Sequence, residues 1–266
     1  MKNKLIIVIP HYNNPKGLLK TINSINEGFK IDLIIIDDGS KLKPDTSHIL
    51  TAYKLGKVVC INIVKNQGIT YCLNKGLEYI RGKKYKYFGR LDAGDICYKD
   101  KFKKQIDFLE KNPEVKLVGT WARVVDQNRN FLYNIKHPTS HNDIQKKMYI
   151  NSMFVHPTIV VNTSILNTVK GYPKKYKYTA QDYAFFFHVI KHFKVANVPE
   201  ILLDYIDDKN SISSVKRKQQ VKNRIKIILE NFKFGFYPIY GLIRSIILYP
   251  LSRNIITRIK KLLNYE

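Results

Sequence analysis

Asp92 and Asp95 form the pattern Asp-x-x-Asp directly after a short apolar run at residues 87–91. If that run is a strand, both carboxylates lie at one edge of a sheet. Mg²⁺ prefers oxygen ligands and binds through one or two protein carboxylates while phosphate oxygens complete its shell, and Mn²⁺ accepts similar ligands. The pattern therefore indicates a site for a divalent metal and a phosphate group. The alternative is that Asp92 caps a turn and Asp95 caps the next helix.

Polar residues also follow the other apolar runs. Asp37-Asp38-Gly39-Ser40 ends a run at residues 33–36, where an isolated charge pair is unfavourable unless a ligand or backbone donors satisfy it. A carboxylate there can accept a hydrogen bond from a base N–H or a ribose hydroxyl. An Asx-Gly turn that merely ends a strand is the alternative. Tyr12, in the loop after the first run, could stack on a base or simply pack.

Short apolar runs alternate with helical patterns in the first part of the chain, and the strands and helices that they predict must position these loops. A parallel sheet with helices on both faces produces this rhythm, and strands that are apolar throughout fit its centre. Ligands of such sheets bind outside the carboxyl ends of the strands. We predict strands at 5–9, 33–36, 58–64 and 87–91, and helices at 18–25, 49–55, 71–80 and 101–111. Residues 99–208 are α+β, with strands at 115–125 and 158–161, a hairpin at 126–130 and a helix from Asn142.

The composition indicates an ordered protein with anionic partners. The chain has 266 residues, 44% of them hydrophobic, and a formal net charge of +25. A field of this sign attracts nucleotide sugars, nucleic acids and acidic lipid headgroups. The three cysteines have no zinc-site spacing, so reduced thiols are expected. No apolar stretch reaches the roughly 18–20 residues that span a bilayer, so any membrane association should be peripheral.

In series, the loops and segments resemble the family 2 inverting glycosyltransferases of the GT-A fold. The resemblance covers roughly residues 4–206. It is carried by VIPHYNN, IIIDDGS, NQGITYCLNKGLEYI, GRLDAGDI, FVHPTIVV, the Gly171-Tyr172 pair and AQDY.

The resemblance implies a nucleotide-sugar site and a metal. Asp92 and Asp95 would hold Mn²⁺ or Mg²⁺ with the donor diphosphate, and Arg90 would lie beside them. The family usually shows Asp-x-Asp, whereas Gly94 stands here where the middle acid is expected. The implied nucleotide-sugar-binding residues are Pro10, Tyr12, Asn13, Asp37, Asp38, Asn66, Gly68, Asn74, Arg90 and Asp92.

The resemblance also implies a catalytic base in an acidic pair that opens a helix. The matching residues are Gln181-Asp182, so Asp182 is the candidate base and Gln181 replaces the usual Glu. Without the family context, Asp182 would be read as a helix N-cap. His156 is a candidate contact to the acceptor or diphosphate, or else a structural histidine.

The implied activity is transfer of a sugar from a UDP-, GDP- or dTDP-linked donor to a hydroxyl of a glycan or lipid-linked acceptor, with inversion. The resemblance is to bacterial enzymes of surface polysaccharide synthesis, such as capsule, O-antigen or lipooligosaccharide. We expect a catalytic domain at 1–208, with a nucleotide-sugar half at about 1–98 and an acceptor and base half at about 99–208.

Residues 209–266 form a basic tail, with 13 Lys or Arg and two acidic residues. Apolar residues recur at helical spacing on both sides of Pro250, and Arg253, Lys260 and Lys261 fall mostly opposite them. A basic amphipathic pair of helices suits an anionic membrane, which predicts a cytoplasmic protein on the inner face of the plasma membrane. A helical hairpin packed on the domain or on a second copy is the alternative. The recurring residues are Ile239, Leu242, Ile243, Ile246, Ile247, Leu251, Ile255, Ile259 and Leu262.

Two other functions fit part of the sequence. Charge and the repeated pentapeptide KKYKY could serve nucleic-acid binding, but no recognised nucleic-acid motif accompanies them, and we expect no nucleic-acid partner. A nucleotidyltransferase that makes sugar nucleotides would keep the nucleotide pocket. Such enzymes usually carry a glycine-rich basic loop after the first strand, and VIPHYNNPKG is a poor match.

Overall fold

The computed structural model describes residues 5–208 and 215–251. In that part of the chain one nine-stranded sheet carries helices on both faces, as the α/β fold class predicted. The strands are β1 Leu5–His11, β2 Ile31–Asp37, β3 Val58–Asn62, β4 Tyr87–Arg90, β5 Ile96–Cys97, β6 Val115–Val125, β7 Phe131–Ile135, β8 Val160–Asn162 and β9 Lys194–Ile206. The helices are α1 Pro15–Asn23, α2 Thr46–Ala52, α3 Ile69–Ile80, α4 Lys101–Lys111, α5 His141–Lys147, α6 Gln181–His192, α7 Arg217–Glu230 and α8 Phe236–Leu248. Short 3₁₀ helices span His156–Thr158 and Thr163–Asn167.

The first half of the sheet is parallel, in the order β3-β2-β1-β4. β1 and β2 pair in register from Leu5 with Ile31 to His11 with Asp37. Both strands are almost entirely buried because helices cover both of their faces. Their carboxyl ends, and the loops that follow them, therefore meet at one edge.

The second half is mixed and includes a long strand that the sequence patterns did not reveal. β8 is antiparallel to β4 and β6, whereas β9 runs parallel to β6 and antiparallel to β5. The β6–β9 register skips Pro199 and Glu200, which lie between the Val198 and Ile201 pairings. A proline inside a run argues against a strand, and the irregular register accommodates it here.

Alternate strand residues divide the core into two layers. Ile6 and Val8 face the cluster under α3, α5, α6 and α7, whereas Leu5, Ile7 and Ile9 face the cluster under α1, α2 and α4. This division follows from the two-residue period of a strand. The sheet is thus held from both sides, and its strand-end loops have a rigid base.

Most predicted elements lie within a few residues of their observed bounds, and α4 and β6 match them. The predicted strand at 158–161 is partly wrong, because its first residue ends a 3₁₀ turn. The helix-cap alternatives are also wrong for two aspartates. Asp182 is the second residue of α6, after Ala180 at φ 61°, and Asp95 is separated from α4 by β5.

The helix predicted before Pro250 is present as α8, which ends at Leu248. Arg253, Ile255, Ile259, Lys260, Lys261 and Leu262, which carried the second half of the predicted tail, lie outside the described residues. Within 5–208 and 215–251, no helix is long and apolar enough to cross a bilayer.

Candidate active site

Asp37, the last residue of β2, contacts His11 at the end of β1 and Ser40 in the loop after β2. Its Oδ1 lies 2.7 Å from His11 Nδ1 and accepts from the Ser40 hydroxyl. His11 Nε2 accepts from the Asn14 backbone N–H, which leaves the ring proton on Nδ1, facing the carboxylate. Asp37 is buried, so its charge is satisfied by protein groups.

Asp38 positions the loop that leads into α3. Its two oxygens accept from the backbone N–H groups of Gln67 and Gly68, at 2.7 and 2.8 Å. Gly68 has φ +89°, and a Cβ there would lie 2.7 Å from the Tyr178 ring. Only glycine therefore allows Tyr178 to lie against this loop.

The remaining predicted nucleotide residues lie in the same loops. Asn13 has φ 52°, and its side-chain oxygen accepts from the backbone N–H groups of Lys41 and Leu42. Pro10 is half-buried in β1, Tyr12 is exposed, and Asn66 lies against Gly39.

Arg90 and Asp92 form a bidentate ion pair where β4 ends. Arg90 Nη1 donates to Asp92 Oδ2 at 2.8 Å, and Nη2 donates to Oδ1. The Arg90 side chain is 3% exposed and that of Asp92 is 35% exposed. Asp92 therefore keeps lone pairs open to solvent, while its orientation is fixed by a buried cation.

Asp95 lies beside this pair and is buried. Its Oδ1 accepts from the Ile206 backbone N–H at 3.1 Å, and its Oδ2 has no partner among the described residues. Burial, followed by the nearby Asp92 charge, raises the pKa of the Asp95 carboxyl well above its ordinary value. A buried carboxylate oxygen without a partner is unfavourable unless a proton or a cation satisfies it.

The turn between the two aspartates explains Gly94. It has φ +123°, which L side chains rarely adopt. Its N–H donates to Thr21 Oγ1, which donates to the carbonyls of Asp92 and Asp95. An acid at position 94 would strain this turn.

Asp92 and Asp95 have the chemistry to hold a divalent cation. No group of three His, Cys, Asp or Glu residues in 5–208 and 215–251 could form an all-protein site. A cation here would rely on one or two carboxylates and on phosphate oxygens, as Mg²⁺ does. The unpartnered Asp95 Oδ2 and the accessible Asp92 fit that arrangement.

Asp182 lies on a cavity of about 550 Å³ whose wall also contains Arg90, Asp92 and His156. Burial raises the pKa of the Asp182 carboxyl, against the opposing effects of backbone N–H groups, Arg90 and Arg224. A carboxylate with a raised pKa is a better proton acceptor than an ordinary aspartate.

His156 is buried beside the cavity as a neutral imidazole. Its Nε2 lies 2.9 Å from the Tyr172 hydroxyl, and burial, followed by the Arg90 charge, lowers its pKa well below the ordinary value. Asn74 binds the same segment, because its amide donates to the Tyr172 carbonyl and accepts from the Tyr172 N–H. These two hydrogen bonds give the Asn74 side chain a structural role that requires no ligand.

The structure brings some of the predicted residues together and leaves others at the border. Arg90, Asp92, Asp182 and His156 share the cavity, and Asp95 adjoins it. Asp38 and Gly68 border it through Ile69 and Tyr178, which are cavity residues. The described wall does not include Pro10, Tyr12, Asn13, Asp37, Asn66 or Asn74.

The sequence analysis missed the opposite wall of the cavity. This wall is contributed by α7 and α8, and Tyr205 of β9 and Asp207, just after β9, also line the cavity. Basic, polar and apolar residues are interspersed along α7 without a clear apolar period, so α7 gave no distinct signal. The cavity residues that were not predicted include Tyr205, Asp207, Arg217, Gln220, Val221, Arg224, Arg244 and Leu248.

Comparison with known proteins agrees with this geometry. The family profile of glycosyl transferase family 2 matches residues 6–169. Amylovoran biosynthesis glycosyltransferase AmsE of Erwinia amylovora is 26% identical over 251 residues, which cover 90% of this chain and 91% of AmsE.

Two solved structures share the fold. S. aureus TarS in complex with UDP-GlcNAc superposes with a TM-score of 0.68 and 16% identity, covering 94% of this chain and 74% of that one. Mannosyltransferase PcManGT of Pyrobaculum calidifontis, in complex with GDP-Man and Mn²⁺, gives 0.64 and 13%, covering 99% and 74%. The profile match, which covers more than half of the sequence, shows that the chain belongs to glycosyl transferase family 2.

Proposed function

We propose that this glycosyltransferase moves a sugar from a nucleotide-sugar donor to a hydroxyl of a glycan or lipid-linked acceptor, with inversion. The observation that carries the proposal is the shared cavity, in which Asp182, with its raised pKa, faces the same space as Arg90 and Asp92. A single displacement requires a proton acceptor and a group that stabilises the leaving diphosphate, and a cation held by Asp92 and Asp95 would supply the latter.

The donor end of the cavity is assigned to the β1, β2 and β4 loops. Pro10, Tyr12, Asn13, Asp37, Asp38, Asn66 and Gly68 surround the nucleotide in this proposal, with Asn74 supporting them. Asp92 and Asp95 would hold Mn²⁺ or Mg²⁺, which would neutralise charge on the leaving diphosphate. The fold shared with TarS bound to UDP-GlcNAc and PcManGT bound to GDP-Man and Mn²⁺ supports a UDP-, GDP- or dTDP-linked donor.

Asp182 performs the proton transfer in this proposal. It accepts the proton of the acceptor hydroxyl as that oxygen bonds to the anomeric carbon. The bond from that carbon to the diphosphate oxygen breaks, and its electron pair leaves with the nucleoside diphosphate. Attack from the opposite face inverts the anomeric configuration, and Arg90 orients Asp92, which would ligate the cation that neutralises the departing charge.

The setting is bacterial surface polysaccharide synthesis, which the similarity to AmsE supports. In this proposal residues 1–208 are the catalytic domain, and 209–266 are a basic tail that holds the enzyme on the anionic inner face of the plasma membrane. α8 supports this, because one of its faces is apolar and exposed.

A thermal-shift panel tests the donor assignment. UDP-, GDP- and dTDP-sugars are each added with Mn²⁺ and with EDTA. One base should raise the melting temperature by several degrees, and more with Mn²⁺, because a ligand that binds only the folded state stabilises it. If no nucleotide sugar shifts the melting temperature with Mn²⁺ present, the donor site is refuted.

A further inference from the structure

Three arginines from α7 and α8 line the cavity and form an arginine wall. Arg217 and Arg224 lie two turns apart on α7, and Arg244 lies on α8. Residues seven apart share a helix face, so both α7 arginines reach the same cavity. All three are half-buried.

Neutral oxygens are the hydrogen-bond partners of this arginine wall. Arg217 donates to the Leu248 carbonyl at 2.6 Å, Arg224 to the Asn151 side-chain oxygen at 2.7 Å, and Arg244 to the Ile150 carbonyl at 3.0 Å. In the described part of the chain, none of the three forms an ion pair with a carboxylate.

Within the described residues no ion pair neutralises the arginine wall, although the Asp182 charge acts on Arg224. Each guanidinium has five N–H donors, so most of them stay available to a ligand. Burial, with repulsion from Arg244 and Arg217, lowers the pKa of Arg224. Like charges gathered in a half-buried wall are unfavourable unless an anion lies between them.

Asp182 lines the same cavity as the arginine wall. The charges of Arg90 and Arg224 both act on its carboxyl and oppose the rise of its pKa that burial causes. Asp92 and Tyr205 line this cavity as well, and the charges of Asp95 and Asp92 raise the pKa of Tyr205 beyond the effect of burial. A ligand held by the arginine wall therefore shares one cavity with the proposed base.

We propose that Arg217, Arg224 and Arg244 bind a phosphate group of the acceptor, which makes the acceptor a phosphate- or diphosphate-linked molecule. This rests on the proposed function, because it takes Asp182 as the base that deprotonates the acceptor. Arginine suits phosphate because its planar fork can donate two parallel hydrogen bonds.

The position of α8 favours a lipid on that phosphate. Arg244 and Leu248 face the cavity, whereas Ile239, Ile243 and Ile247 on the same helix are exposed. An amphipathic helix with this division lies in the membrane interface with its polar face turned to the protein or water. A phosphate that leaves the bilayer beside α8 enters the cavity at the arginine wall.

Binding of farnesyl diphosphate tests the proposal, with farnesol as the uncharged probe. Calorimetry is run with saturating Mn²⁺ and the nucleoside diphosphate that binds best, so that the donor end is filled. The wild-type chain should bind farnesyl diphosphate well and farnesol at least tenfold more weakly. Arg217→Gln and Arg224→Gln should each weaken farnesyl diphosphate about tenfold, as expected for one charge-assisted contact, and leave nucleoside diphosphate binding within twofold.

Matched variants distinguish phosphate binding by the arginine wall from an effect on folding and from a non-specific effect of positive charge. Lys222→Gln removes an exposed charge from α7 and should change neither affinity. Arg224→Lys keeps the positive charge but not the planar pair of N–H donors. It should therefore lose less affinity for farnesyl diphosphate than Arg224→Gln. Circular dichroism melts confirm that each variant is folded.

Three results would overturn the inference. Competition of nucleoside diphosphate with the farnesyl probe, or its weaker binding to the arginine variants, would assign the wall to the donor. Equal binding of farnesol and farnesyl diphosphate would show that the wall does not recognise phosphate. Weaker sedimentation of Arg217→Gln with phosphatidylglycerol vesicles, with unchanged binding of the probe, would assign the wall to lipid headgroups. A wild-type chain that binds no nucleoside diphosphate refutes instead the proposed function beneath the inference.

Discussion

Asp92, Asp95 and Asp182 differ in what surrounds them. Asp92 is paired with Arg90 and accessible, Asp95 is buried with one oxygen unpartnered, and Asp182 is held at the start of a helix with a raised pKa. Asp92 is oriented by a cation and open to a ligand, whereas burial raises the pKa of both Asp95 and Asp182. Asp95 differs from Asp182 in that its Oδ2 has no partner among the described residues, so its ionised form is disfavoured unless a cation binds there.

Asp95→Asn should stabilise the metal-free protein near neutral pH. The folded-state pKa of Asp95 is raised above 3.8, so its contribution to stability is fully present below that value and is lost as the pH rises through the raised pKa. Asparagine stays neutral and can still accept from Ile206. At pH 7.5 in EDTA, the melting temperature should rise by roughly 2–4 °C, the shift that about 1 kcal/mol produces at this size.

The pH profile and the metal response identify the cause. The gain should shrink towards pH 4, and Mn²⁺ with nucleoside diphosphate should stabilise the variant less than the wild type. Asp45→Asn is the control, because Asp45 is exposed and its pKa is lowered by hydrogen bonds from Ser47 and His48. An Asp95→Asn protein that melts below the wild type at pH 7.5 contradicts this account.

At the scale of elements, α8 has two distinct faces. Gly241 packs against the Tyr149 carbonyl so closely that a Cβ would lie 2.1 Å from it, and Ser245 is buried beside it. The opposite face exposes Ile243 at 52% and Ile247 at 60%. The inner face packs on the domain, as the packed alternative predicts for the segment before Pro250, while the outer face is exposed and open to a membrane.

Ile243→Glu combined with Ile247→Glu should weaken membrane binding without unfolding the chain. Both side chains are exposed, so the melting temperature should change little, whereas two charges on the apolar face oppose insertion. Co-sedimentation with vesicles containing 30% phosphatidylglycerol measures the effect, which should exceed tenfold.

Phe131→Glu is the matched control for α8. Phe131 is 57% exposed on β7 and should leave sedimentation unchanged. Equal sedimentation of the α8 variant and the wild type contradicts a membrane role. A change from dimer to monomer in the α8 variant would assign the face to a second copy.

The sequence predicted those elements whose pattern is locally strong. β1 and β2 contain continuous apolar runs at residues 5–9 and 33–36, and α4 has a clear apolar stripe, so local pattern identifies them. β9 was missed because Pro199 interrupts it and its pairing with β6 joins distant segments. Such long-range pairing has no local signature.

At the scale of the whole molecule, the cavity combines two sets of residues. The sequence predicted those near the strand ends, but it did not predict the arginine wall. The family resemblance pointed to Asp92 and Asp182, and the structure gives them one cavity. Nothing in the sequence indicated that Arg217, Arg224 and Arg244 face Asp182, because tertiary packing of α7 and α8 decides it. The predicted roles of the loop residues Asp37 and Asp38 stay predictions, and their contacts are to protein groups.

Nucleoside diphosphate release by Asp182→Asn tests the central claim most directly. The donor from the panel is supplied with Mn²⁺ and a lipid-extracted acceptor fraction, and a coupled assay follows release. The account predicts that Asp182→Asn binds donor within threefold of wild type and releases nucleoside diphosphate at least 100-fold more slowly, the loss expected for a general base. Unchanged release by Asp182→Asn would contradict it.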